Sequence, residues 1–212
     1  MDAEVFRAWI VSAAGVIEAN RDHLTQLDAA IGDADHGINL ARGFTAVLGA
    51  LEAADAKAAT PGAILTVTGN TLISKVGGAS GPLYGMAFRR AGKALGDAAD
   101  VDLPGLSAAL DAALAGVRQL GAAREGDKTM VDALAAATRA FSKAIAEGAS
   151  PDDALASLAE AAEAGAAATV SMQALKGRAS YLGPRSVGHE DPGAVSTALI
   201  LGALRDAARA GR

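Results

Sequence analysis

Four of the six prolines in this chain stand one or two positions after a residue that caps helices: Thr60-Pro61, Asp102-Leu-Pro104, Ser150-Pro151 and Asp191-Pro192. A hydroxyl or carboxylate at the cap accepts a free N–H of the first turn, and proline fits that turn because its missing N–H would have no partner there. Between these starts, apolar residues recur every three or four positions, as in Val5, Phe6, Trp9, Ile10, Ala13, Val16 and Ile17. No stretch alternates in the two-residue period of a strand. The expected helices cover 3–27 with a kink at Asn20-Arg21-Asp22, then 38–54, 60–76, 83–97, 102–120, 128–146, 150–173 and 193–209. Long helices with short connections predict an all-α fold, an antiparallel eight-helix up-and-down barrel or bundle. Residues 1–212 read as a single domain, without internal repeats or linker-like segments.

Composition narrows the function classes. Half of the chain is apolar and only 3% is aromatic, a mixture dominated by alanine, leucine and valine that suits close helix–helix contact. The net charge of -5, with no basic stripe, argues against nucleic acid as a partner. No apolar run approaches the roughly 18 residues of a membrane span. Cysteine is absent, which excludes disulfides and thiolate ligands. The acidic N-terminus lacks a signal-peptide pattern, so the expected location is cytoplasmic.

Glycine and polar residues concentrate in 28–37, 77–82, 121–127 and 176–192. Alternate connections of an up-and-down bundle emerge at the same end. These four stretches are therefore expected together at one end, with plainer connections near 55–60, 98–103 and 147–151 at the other.

The first stretch carries Asp28, Asp33 and Asp35 within eight positions, followed by His36, Gly37 and Asn39. Three like charges so close repel one another unless a cation lies among them, and Mg2+ favours such oxygen ligands. An EF-hand reading from Asp33 fails, because the twelfth position is Phe44 where a bidentate Glu is required. Capping of the following helix accounts for one acid but not for three. A helix from Ile38 could turn its first N–H groups towards a phosphate.

The other stretches are weaker signals individually. Gly121 to Thr129 resembles a phosphate loop, but Asp127 interrupts the spacing and no strand precedes it. Lys128 and Thr129 at a helix start either meet an anion or merely follow a cap at Asp127. Gly77-Gly-Ala-Ser-Gly-Pro82 allows a ligand to approach backbone closely. In the long polar stretch Arg178, Arg185 and His189 are candidates and Lys176 is read as solvated, while Asp191-Pro192-Gly193 at a helix start suits a nucleotide. His23 is expected at the surface or in packing, and Trp9 in the core.

Taken together, Leu27-Asp-x-x-Ile-Gly-Asp-x-Asp-His-Gly-x-Asn39, Gly77-Gly-Ala-Ser-Gly-Pro82, Gly126-Asp-Lys-Thr-Met-Val-Asp-Ala133 and the stretch Gly177 to Gly193 resemble the ADP-binding L subunits of dihydroxyacetone kinases, in order and over essentially the whole chain. The resemblance implies an eight-helix barrel with the nucleotide at one end. It implies that Asp28, Asp33 and Asp35 hold two Mg2+ ions that bridge the phosphates of ADP or ATP and act in catalysis through them. It further implies that His36, Gly37, Ile38 and Asn39 line the nucleotide, that Ala79 and Ser80 meet its phosphates, and that Gly121, Met130, Arg178, Asp191, Pro192 and Gly193 complete the site. The implied partners are a dihydroxyacetone-binding K subunit and a phosphohistidine donor of the phosphotransferase system, in a hetero-oligomer containing a homodimer of this chain. The motifs leave the phosphotransferase-dependent and ATP-dependent modes open. They also leave open a kinase subunit for another small ketose or tetrose, and a non-catalytic nucleotide-sensing interaction protein.

Overall fold

The computed structural model describes residues 1–54 and 59–211. Among these residues it contains nine α-helices and no strand: α1 (Ala3–Ala19), α2 (Arg21–Ile31), α3 (His36–Ala54), α4 (Pro61–Lys75), α5 (Ser80–Leu95), α6 (Leu103–Gly121), α7 (Met130–Ala146), α8 (Pro151–Ala168) and α9 (Pro192–Ala210). All four cap-and-proline signals open helices. Thr60, Asp102, Ser150 and Asp191 each accept a main-chain N–H of their own first turn.

Several boundaries differ from the expected ones. The second helix runs through Asp28 to Ile31, so Asp28 projects from a helix and not from a loop. Helix α3 begins at His36 and α5 at Ser80, each earlier than the periodicity placed them. Helix α7 starts later, at Met130, because Thr129 and Asp132 form a reciprocal capping box in place of a cap at Asp127. Helix α8 stops at Ala168, where Thr169–Ser171 tightens into a 3-10 turn. The stretch expected to be irregular contains 3-10 structure over Arg178–Ser186, broken at Gly183 with φ 56°. Part of the connection expected at 55–60 lies outside the described residues.

Successive helices from α3 to α9 pack on one another, and α9 and α3 both pack on α1. Helix α2 is an addition that lies on α3 and α9 at the site. The core contains an aromatic chain: Trp9 packs against Phe6 and Phe88 at centroid distances of 5.9 and 5.7 Å, and Phe88 meets Phe44 at 6.3 Å. Trp9 is thus a core residue, its indole N–H donating to the Ile200 carbonyl at 2.8 Å. His23 is exposed. No described helix is long and apolar enough to cross a membrane.

Helices α4 and α5 approach most closely through glycine. A Cβ on Gly69 would stand 2.6 Å from the Gly85 carbonyl oxygen, and one on Gly92 2.6 Å from that of Gly62. Each pair is seven residues, or about two turns, from the other along both helices. Gly69→Ala is therefore expected to destabilise the protein by about 1–3 kcal/mol through overpacking. Gly49→Ala in α3, with nothing within 4 Å of the added methyl, is expected to stabilise by up to about 1 kcal/mol. Urea unfolding midpoints of the two variants, moving in opposite directions, check the contrast.

Candidate functional site

The four glycine-rich and polar stretches meet around one cavity of about 300 Å³. The end of α2 and the turn after it supply the acidic wall. Asp28, Asp33 and Asp35 each place a carboxylate oxygen within 4.8 Å of the others. Two features of the local chain produce this. Gly32 leaves room for Asp28, because a Cβ there would fall 2.0 Å from Asp28 Oδ1. Ala34 adopts φ 61°, a left-handed conformation that costs a non-glycine residue about 1 kcal/mol or more and turns the chain between the other two acids. Asp28 is 9% exposed, and its Oδ2 accepts the N–H groups of Asp35 (2.8 Å) and His36 (3.2 Å) at the start of α3. One carboxylate thus caps a helix, as the plainer sequence reading held, while still joining the triad. Three hard oxygen donors with open space beside them fit a divalent cation such as Mg2+. Arg178 reaches the same acids, its Nε lying 3.0 Å from Asp33 Oδ2.

The wall behind the acids is a buried hydroxyl network. His36 Nε2 lies 2.9 Å from Ser196 Oγ, which lies 2.7 Å from the Tyr84 hydroxyl. Tyr84 also reaches Thr197 Oγ1 and the Gly193 carbonyl, at 2.8 and 2.9 Å. This network ties α3, α5 and α9 together at the cavity. Burial holds the His36 imidazole below its usual value against the opposing charges of Asp28 and Asp35, and it pushes the Tyr84 phenol up. Burial also raises Asp191 to about 7, against the Ala194 N–H that its carboxylate accepts (2.7 Å) and the Lys128 charge; Asp132 and Asp28 add to the rise.

Most of the expected residues line this cavity: the three aspartates, His36, Ala79, Ser80, Gly121, Met130, Arg178, Asp191, Pro192 and Gly193. Gly37, Ile38 and Asn39 do not. Gly37 serves packing, since a Cβ there would sit 2.0 Å from the Arg21 carbonyl oxygen of α2. Ile38 is 51% exposed, and Asn39 is buried with its Oδ1 accepting from Arg42 at 2.8 Å. Lys176, read as solvated, lies on the wall. Leu83, Tyr84 and Val117 line it too and were not expected. Helical spacing would have found them: Leu83 and Tyr84 follow Ser80 by three and four positions, and Val117 precedes Gly121 by four. Lys128 borders the cavity, but its ammonium donates to main-chain carbonyls, so the anion contact that the sequence left open is not made by this rotamer.

The raised Asp191 carboxyl has a consequence for stability. Its folded value of about 7 exceeds the ordinary 3.8, so the stabilisation tied to its proton is complete below pH 3.8 and is lost as pH rises through 7. Asparagine caps a helix as well as aspartate does. In the ligand-free protein, Asp191→Asn should therefore gain stability relative to wild type between pH 5 and pH 8, measured by urea unfolding. An unchanged difference across that range would contradict the assignment.

A family model described as the DAK2 domain matches residues 30–206. The ADP-binding subunit DhaL of the PEP-dependent dihydroxyacetone kinase of Escherichia coli is 41% identical over 201 residues, covering 95% of each chain. The ADP-binding subunit DhaL of the PTS-dependent dihydroxyacetone kinase of Lactococcus lactis is 39% identical over 196 residues, covering 92% of this chain and 93% of the relative. Among solved structures, the dihydroxyacetone kinase of C. freundii in complex with AMP-PNP and Mg2+ superposes with a TM-score of 0.69 at 29% identity; the match covers 94% of this chain and 33% of that one. The acid triad and its cavity thus sit in a chain that belongs to the DAK2-domain family, among the ADP-binding L subunits of dihydroxyacetone kinases.

Proposed function

We propose that this chain is the nucleotide- and magnesium-holding subunit of a dihydroxyacetone kinase and works as one nucleotide-binding unit in the cytoplasm. The observation that carries this reading is the convergence of the Asp28, Asp33 and Asp35 carboxylates within 4.8 Å beside a 300 Å³ cavity. Phosphoryl transfer is catalysed mainly by positioning and by neutralising charge on the moving group. Two Mg2+ ions, when bound, would supply that neutralisation for the phosphates of ADP or ATP. The chain's own residues do the positioning. The three carboxylates would hold the ions, and Asp28 is itself held by the N–H groups of Asp35 and His36. Ser80 and Ala79 present the start of α5 to the phosphates. Apolar Ile31, Leu83, Val117 and Met130 suit the flat base and exclude water. Arg178 brings a positive charge to the rim.

The acceptor is proposed to be supplied by another protein. The proposed partner is a K subunit that carries dihydroxyacetone. Names of relatives that are PEP- or PTS-dependent support recharging of the bound ADP by a phosphohistidine protein.

Asp33→Asn or Asp35→Asn is expected to weaken Mg2+-dependent ADP retention by at least about hundredfold while leaving the helical circular-dichroism signal intact. Mass spectrometry of the native protein reads the ADP content directly. Undiminished ADP in the variants would refute the role of these acids.

A further inference from the structure

The segment between α8 and α9 carries Arg178 to the acids and Asp191 to the cavity, and its two ends meet at a neck. There the Asp191 N–H donates to Thr169 Oγ1 (2.9 Å), and the Gly188 N–H donates to the Val170 carbonyl (2.7 Å). Further out, the Leu175 N–H donates to the Asp127 carbonyl (3.0 Å), tying the segment to the turn before α7. The side chain of Lys128 passes through this neck.

Lys128 is 1% exposed. Its ammonium donates to the Thr169 carbonyl at 2.6 Å and to the His189 carbonyl, one on each side of the neck. Burying an ammonium is costly, and a buried lysine usually faces a carboxylate. Here it faces two main-chain oxygens from chain positions twenty residues apart, and its backbone takes φ 60° to aim it there. Nearby Asp191, Glu190 and Asp132 favour its charged form, while burial opposes it. Without Lys128 the buried Thr169 carbonyl and the partly buried His189 carbonyl would each lose a charged donor.

We propose that Lys128 is a positioning residue: it clasps the two ends of the 169–191 segment and thereby holds Arg178 and Asp191 in place over the nucleotide. The inference rests on the nucleotide-binding reading above and extends it to a residue that touches neither metal nor phosphate. In this arrangement the acid triad is built on the end of α2 and the turn after it and meets the clasped segment at the Arg178–Asp33 pair, whereas the opposite wall depends on the clasp.

Lys128→Met keeps the apolar stem and removes all three donors. Hydrogen exchange is measured at Leu175, Gly188 and Asp191, together with the dissociation rate of ADP–Mg2+ and the affinity for Mn2+ alone. Exchange at the three amides is expected to accelerate by about tenfold or more, ADP to leave about tenfold faster, and Mn2+ affinity to stay within about threefold of wild type. Unchanged exchange with faster ADP loss would overturn the clasp, since Lys128 would then act on the nucleotide directly. Faster exchange with unchanged ADP loss would overturn the positioning role. Thr169→Val, which removes the hydroxyl that accepts from the Asp191 N–H and donates to the Ala166 carbonyl, loosens the same neck and is read by the same criteria should the first variant not fold. Wild-type protein that binds no ADP would defeat the nucleotide reading instead, and the exchange measurement would still decide whether the clasp exists.

Discussion

Mutual repulsion among three carboxylates is the constraint on which this structure turns. Asp28, Asp33 and Asp35 bring ligand oxygens within 4.8 Å of one another. At such distances like charges repel one another unless a positive group lies among them. The chain answers partly with its own donors: two N–H groups at the start of α3 serve Asp28, and the Arg178 guanidinium serves Asp33. These offset part of the repulsion and leave oxygen atoms directed at a common space. In the proposed function a hard divalent cation would complete the balance, with the phosphates of a nucleotide as its anionic counterpart.

The rest of the fold keeps that arrangement rigid. Alanine- and glycine-rich helices approach closely enough for main-chain atoms to touch, as α4 and α5 do at Gly62, Gly69, Gly85 and Gly92. Close packing of this kind leaves little room to relax, so the ends of the helices stay where the core puts them. At the site end, the buried hydroxyls of Tyr84, Ser196 and Thr197 satisfy one another, and they fix the start of α9 against α5. Cavity walls built on helix ends are thereby held by the core, whereas the segment bearing Arg178 has its own fastening at Lys128.

Much of this was legible in the sequence because the signals were local. Thr60, Asp102, Ser150 and Asp191 announced helix starts through capping chemistry that acts within one turn. The spacing of the three aspartates pointed to carboxylates that converge, and they do come within 4.8 Å of one another. What stayed hidden depends on distant partners. Glycines seven apart are visible in α4 and α5, but the pairing of Gly69 with Gly85 is a fact of packing. That Gly37 lies against α2 is likewise visible only in the packing. Lys128 stood out only as a possible anion contact, because its main-chain carbonyl partners carry no side-chain identity for a sequence to show.

The acid triad is proposed to bind the nucleotide only through a divalent cation. Calorimetric titration of the wild-type protein with ADP, in Mg2+ and again in excess EDTA, tests it most directly. Clear binding is expected with Mg2+, and affinity about a hundredfold weaker without it. Equal affinity in the two conditions would contradict it.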